Sequence, residues 1–220
     1  MRLRLILAGV LFCGAATAAP AQFAALESAA EPAGYLARLL INEAPFPGER
    51  GWVGEEDSKA AMLSILWVLH ARLHFIPSGY TQEQVAAIRT QNILDLMTAQ
   101  SQCAGFSRDA DGNPVCAPRV EERIRYLLQI ANRGDKPGRF ANLLNFAQGL
   151  AGAYLAGGIP GADRFAGLTR VAGVAVTGRA YSWMTGQDFY HPGGNFVTIP
   201  DDRQGLLGGN RFFTLRKEPI

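Results

Sequence analysis

Apolar residues recur along this chain with two different periods. Up to about residue 158 they return every three or four positions, and after about residue 168 they fall in short β-branched and aromatic runs. Residues 22–32 are small, Ala-rich and carry Pro32, a lead into a helix over 33–43 that includes YLARLLINE and ends on Glu43. The turn APFPGERGWVG follows. Asp57 and Ser58 then open a second helix over 57–76, KAAMLSILWVLHARLHFI, which is apolar on nearly every face. Pro77-Ser78-Gly79 stops it. Thr81 with Gln84 makes a capping-box pattern at the head of TQEQVAAIRT, and NILDLMTAQ continues as another helical piece.

Pro118 begins the next helix, whose apolar positions Val120, Ile124, Leu127, Leu128 and Ala131 keep helical spacing up to Gly134. After Pro137-Gly138 comes RFANLLNFAQGLAGAYLAGG. Its small residues on one side predict a tightly packed central helix ending at Gly157-Gly158. The later segments GVAVTGRAYSWM, NFVTIP and NRFFTLRK predict short strands packed on the helical body. They are too short for a parallel sheet. Helices first and a small β-rich, aromatic tail later define an α+β domain, predominantly α-helical. No repeat or low-complexity linker divides it, so residues 22–220 read as one domain.

Composition adds an address. Met1 to Ala21 has Arg2 and Arg4, the apolar run LILAGVLFCGAA and then small residues, which is the pattern of a signal peptide cleaved after Ala21. That run is too short to span a bilayer, and Cys13 lacks the small residues that a lipid-attachment site would need before it. The expected mature protein is exported, periplasmic or secreted, with no transmembrane segment. Residues 1–21 hold two of the 21 basic residues and no acid, so the mature chain carries 19 of each sign. A neutral balance argues against a nucleic-acid partner, which requires a basic face.

Cys103 and Cys116 are the cysteines left after cleavage, and Asp111-Gly112-Asn113-Pro114 between them is a turn signal. In an exported protein this predicts one disulfide, which closes a loop worth about 3 kcal/mol in the chain-entropy model. Asp109, Asp111 and Asn113 resemble the start of a calcium loop, but the distal Glu is missing, and a solvated turn is the plainer reading.

Several chemistries have no support. No Gly-rich loop follows a strand, so no nucleotide cofactor is implied, and no Gly-x-Ser-x-Gly elbow occurs. Carboxylates remain. Glu55, Glu56 and Asp57 suit the dipole at the start of the second helix. Glu49 sits in the loop, where exposure is expected. Glu43 has no such capping role. A carboxyl at the end of one buried helix, backed by another, is where desolvation favours the neutral acid. A second constellation is aromatic and polar: Trp52, Tyr181, Trp183, Phe189, Tyr190, Asn195, Asn210, Phe212 and Phe213. Aromatic faces among polar side chains suit a sugar-binding cleft, although core packing also uses aromatics. His70 and His74 share a helix face and His191 could join them on a metal, but Ala71 stands where zinc peptidases need Glu.

The motifs INEAPFPGER, AAMLSILWVLHARL, FAQGLAGAYLAGGIPGADRFAGL and LLGGNRFFTL resemble the SleB-like cell wall hydrolases. The first two are similar to that family's Glu-Ala, Gly-Glu and following helix. The third is similar to its Ala-rich helix and Gly-rich turn. The last is similar to its closing Gly-x-His-x-Phe, with Asn210 in the His place. Gly48-Glu49 matches the Gly-Glu after a two-residue insertion, and His70-Ala71-Arg72 stands for an Asn-Arg pair. The resemblance implies a lysozyme-like fold, peptidoglycan glycan strands as partner, no cofactor, and Glu43 as catalytic acid. Glu49, Trp52, Tyr181, Trp183, Tyr190, Asn195 and Asn210 are the candidate substrate-binding residues. The expected reaction is glycan-strand hydrolysis or lytic transglycosylation. A non-catalytic exported module that binds peptidoglycan or protein, and a metal-dependent amidase using His70, His74 and His191, stand as alternatives.

Overall fold

A computed structural model describes residues 23–100, 102–133, 138–186 and 191–219. The leader at 1–21, Gly134, Phe189 and Tyr190 lie outside the described residues. Helix α1, Pro32–Glu43, has Pro32 at its first turn, where the missing N–H costs nothing. It is buried at every position except Pro32 and Asn42. It stops after Glu43 because Pro45 disfavours helical backbone at Ala44, which is extended at φ −108° and ψ 142°. The position of Glu43 at a helix end is thus written locally.

Helix α2, Glu55–His74, begins two residues earlier than Asp57, with Glu55, Glu56 and Asp57 all in its first turn. Helix α3, Gln82–Ala86, carries the capping box in full: the Thr81 hydroxyl accepts from Gln84 N–H, and the Gln84 side chain accepts from Thr81 N–H. Helix α4, Ile93–Thr98, is a separate piece capped by Asn92, because Ala87 turns left-handed at φ 55° and ends α3. The hairpin β1, Phe106–Arg108, and β2, Pro114–Cys116, follows. Helices α5, Pro118–Ala131, and α6, Arg139–Leu155, complete the helical body. The expected stripe on α5 is buried at Val120, Ile124, Leu127 and Ala131, with Leu128 packed at its edge. Helix α6 was expected at the centre; that place belongs to α1, which α2, α5 and α6 surround.

The remaining chain forms an antiparallel sheet in the order β3-β4-β7-β5, with β6 also paired to β7. Its strands are β3 (Leu168–Val171), β4 (Val174–Thr185), β5 (Phe196–Thr198), β6 (Leu206–Leu207) and β7 (Asn210–Arg216). The architecture is α+β and mostly helical. Its main core runs without a break from α1 and α2 to Trp183, Leu207 and Phe212 of the sheet. No helix among the described residues is long and apolar enough to cross a membrane.

Strands β6 and β7 are joined by Gly208-Gly209, at φ 52° and 65°, the two-residue turn that matches strand twist and requires glycine. A Cβ on Gly208 would lie 2.5 Å from that of Ala61 on α2. One on Gly51 would lie 2.9 Å from Gly209 Cα. The loop after α1, the start of α2 and this turn are therefore in backbone contact. Asp57 Oδ2 accepts from Gly208 N–H at 2.7 Å, so its role is to seat this turn.

The expected disulfide is absent: Cys103 and Cys116 are separate thiols. The hairpin register is the reason. Cys116 pairs with Phe106, leaving Cys103 three residues outside the ladder and directed into the core. Asp109 closes the hairpin tip, its Oδ1 accepting from the N–H groups of Asp111 and Asn113. Burial pushes both thiols up to about 12. At pH 8 the thiolate fraction is then roughly one part in ten thousand. Alkylation of the native protein should leave both cysteines unmodified, and denaturant without reductant should expose both. A Cys103–Cys116 linked peptide in the digest would contradict this.

Candidate functional site

Glu43 lies where the helical body meets the sheet. It is 9 % exposed and faces two open cavities of about 660 and 850 Å³, both lined by Asn42, Glu43 and Thr185. One extends over Arg72, Gln102, Ser182 and Trp183; the other runs along the 44–53 loop to Leu206 and Gly209. The buried carboxyl thus sits between two cavities that share three lining residues.

Three donors fix the carboxyl. Asn42 Nδ2 donates to Oε1 at 3.1 Å, and Trp183 Nε1 donates to Oε2 at 3.1 Å. The Thr185 hydroxyl makes a short hydrogen bond to Oε2. Trp183 and Thr185 stand two apart on β4, so strand periodicity turns them to the same side. Asn210, opposite Thr185 in the β4–β7 register and fully buried, supports both groups. Its Nδ2 donates to the Glu43 backbone carbonyl at 2.7 Å and to Gly208 O at 2.8 Å. Its Oδ1 accepts from Thr185 Oγ1 at 2.7 Å.

Proton inventory constrains this network. Both Asn210 amide protons are committed to carbonyls, so Asn210 Oδ1 and Glu43 Oε2 share the single hydroxyl proton of Thr185. While that proton points at Asn210, Thr185 offers Oε2 a lone pair, which accommodates a proton on Glu43. When the hydroxyl turns, it donates to a carboxylate at Glu43. The same four side chains therefore accommodate either state.

The other carboxylates lining the second cavity are engaged, whereas Glu83 lines the first and is exposed. Glu49, expected exposed in its loop, is half-buried and forms a two-pronged ion pair with Arg123, at 3.0 Å to Nε and 2.5 Å to Nη2, and accepts from Phe46 N–H. Arg123 also donates to Ile41 O and Ala44 O, tying the end of α1 to α5. Asp57 holds Gly208 N–H.

Of the candidate substrate-binding residues, Glu49, Trp183 and Asn210 converge on Glu43, the candidate acid. Glu49 lines the second cavity, Trp183 the first, and Asn210 braces the acid from below. Trp52 does not line the cleft; it packs on the core beneath its loop. Tyr181 is also buried, its hydroxyl donating to Phe75 O. Asn195 does not line either cavity, and its carbonyl accepts from Arg216 N–H. Tyr190 lies outside the described residues. Phe212 and Phe213 are core. A row of aromatics along the cleft is therefore not assembled by the described residues, because most of them fill the sheet–helix interface.

His70 and His74 stack 4.5 Å apart in another cavity, beside Trp67 and Tyr154, while His191 packs against Phe213. No group of three or more His, Cys, Asp or Glu among the described residues could hold a metal. Sequence reading missed Asn42, Thr185 and Arg123. Thr185 was within reach, two residues after Trp183 on a strand; Arg123 carries no local signal.

Comparison with family models, with curated proteins and with solved structures finds no match.

Removing the Asn210 amide leaves two buried carbonyls without donors. Asn210→Ala should therefore cost about 2–4 kcal/mol of stability, read as a lower urea midpoint with an unchanged slope. A change under about 0.5 kcal/mol, the range of neutral surface substitutions, would refute the bracing role.

Proposed function

We propose that this protein is an exported enzyme that cuts peptidoglycan glycan strands, with Glu43 as the single general acid and base. The observation that carries the reading is a buried carboxyl, held by three donors, at the junction of two open cavities. A chain threaded along the cleft would present its middle bond to that carboxyl. The resemblance of INEAPFPGER and LLGGNRFFTL to the SleB-like hydrolases supports the same choice of acid, and the leader at 1–21 supports export.

In the first step Glu43 gives its proton to the glycosidic oxygen as the C1–O bond breaks, and the leaving sugar departs with a hydroxyl. The carboxylate that remains then takes a proton from the attacking oxygen. If that oxygen is a hydroxyl of the same sugar, an anhydro ring closes and no water is consumed. If it is water, a reducing end forms. In the second cavity Glu49 is engaged by Arg123 and Asp57 by Gly208, which leaves Glu43 as its unpaired carboxyl and favours the intramolecular route. A two-carboxylate glycosidase needs a second free acid group, whereas a lytic transglycosylase uses one carboxyl for both roles. The Thr185–Asn210 pair suits that exchange, since it serves Glu43 with or without its proton.

Three donors on one carboxyl would also suit a structural group in a module that binds glycan without cutting it, and the same experiment separates the two. Purified Glu43→Gln should fold, bind isolated cell walls and release soluble fragments about 10²–10⁴-fold more slowly than the unaltered protein. Mass spectrometry of the unaltered enzyme's digest should find products one water lighter than reducing-end fragments. Undiminished release by Glu43→Gln removes the assignment. Co-sedimentation with walls and no release by either protein assigns the binding module instead.

A further inference from the structure

The cavity on the Trp183 side holds a second buried charge that the chemistry of Glu43 does not use. Arg72, in the last turn of α2, is 6 % exposed and lines this cavity together with Glu43. Its Nε donates to Tyr181 O at 2.7 Å and its Nη1 to Gln102 Oε1 at 3.0 Å. The guanidinium lies 5.3 Å from the centre of the Trp183 ring. Both hydrogen-bond acceptors are neutral. Nη2 bonds to no described residue, and it is not among the buried polar atoms left without a partner, so it remains accessible from the cavity.

The contrast with the other arginines is direct. Arg38, the other buried one, pairs with Glu121; Arg123 pairs with Glu49 and Arg179 with Asp163. Arg72 has no carboxylate within ion-pair distance among the described residues. Withdrawing a cation from water without a counter-ion is unfavourable. Burial pulls its guanidinium down to about 10, which still leaves it charged at neutral pH. A guanidinium N–H left over beside a cavity is suited to a carboxylate oxygen. The other charged residues lining that cavity are Glu43, Glu83 and Arg119.

We propose that this half of the cleft is a subsite for a carboxylate carried by the substrate, recognised by Arg72 Nη2 beside Trp183. The substrate class is then a glycan with an acidic substituent next to the bond that is cut, as opposed to a neutral amino-sugar polymer. The inference rests on the reading of Glu43 as a glycan-cutting acid. The carboxylate could be an acid ether on the sugar itself or the end of an attached peptide. Both offer the guanidinium the same two oxygens.

The test uses the full chain with Glu43→Gln, so that ligands are bound and not consumed. Calorimetry compares glycan tetramers carrying the free ether acid, its carboxamide, an attached peptide with a free carboxylate, and that peptide amidated. The acid that matches the subsite should bind at least about tenfold tighter than its own amide, and which pair shows the preference identifies the source. Arg72→Met should reduce that ratio to within about twofold while the amide binds as before. Arg72 also holds Tyr181 and Gln102, so that variant could fail to fold; the acid–amide comparison with Arg72 intact then decides alone. Equal binding of acid and amide in both pairs overturns the subsite, and cell-wall release that stays dependent on Glu43 would leave the proposed function standing. If no glycan binds, an N-acetylated amino acid and its amide are compared by the Arg72 Nε–Hε resonance. A shift with the acid alone retains the carboxylate subsite while the glycan reading falls, and no shift ends both.

Discussion

The amide of Asn210 is the joint on which the site depends. One of its protons satisfies the last carbonyl of α1 and the other satisfies Gly208, so a helix end and a strand turn share one buried side chain. Both bonds lie where water cannot replace them, and an error in either position would strand a polar group. Its oxygen then fixes Thr185, and through Thr185 the carboxyl of Glu43. Placement of the acid and packing of the sheet on the helices are therefore one constraint.

Around this joint the protein treats its arginines in two ways. Arg38 and Arg123 tie α1 to α5 through carboxylates and terminal carbonyls, which fits a scaffold that must not move. Arg72 is held by neutral acceptors and an indole face and lines the first cavity. The glycine turn and the loop after α1 press against each other at backbone distance, and Gly51, Gly208 and Gly209 line the second cavity there.

Local signals in the sequence were reliable where the physics is local. Thr81 and Gln84 cap α3 and the apolar stripe of α5 faces inward, because each depends on residues within one or two turns. Long-range pairing was less legible. A disulfide across the hairpin is plausible from spacing, yet the register that sets Cys116 against Phe106 takes Cys103 elsewhere. Trp52 and Tyr181 look like Trp183 in a sequence, since an aromatic ring serves a core and a cleft equally well. Tyr181 and Trp183 stand two apart on β4, yet one donates to a backbone carbonyl and the other to the acid.

The sequence by itself determined that Glu43 would close a buried helix, that a glycine-rich loop would follow, and that a small sheet would be laid on a helical body. Those features follow from periodicity, proline and glycine, which act over a few residues. Only the tertiary structure decided that Glu43 would meet Trp183, Thr185 and Asn210, the first of them 140 positions away. That meeting depends on the β4–β7 register and on the contact of Gly208 with α2, and pairings between distant segments leave no mark in either segment alone.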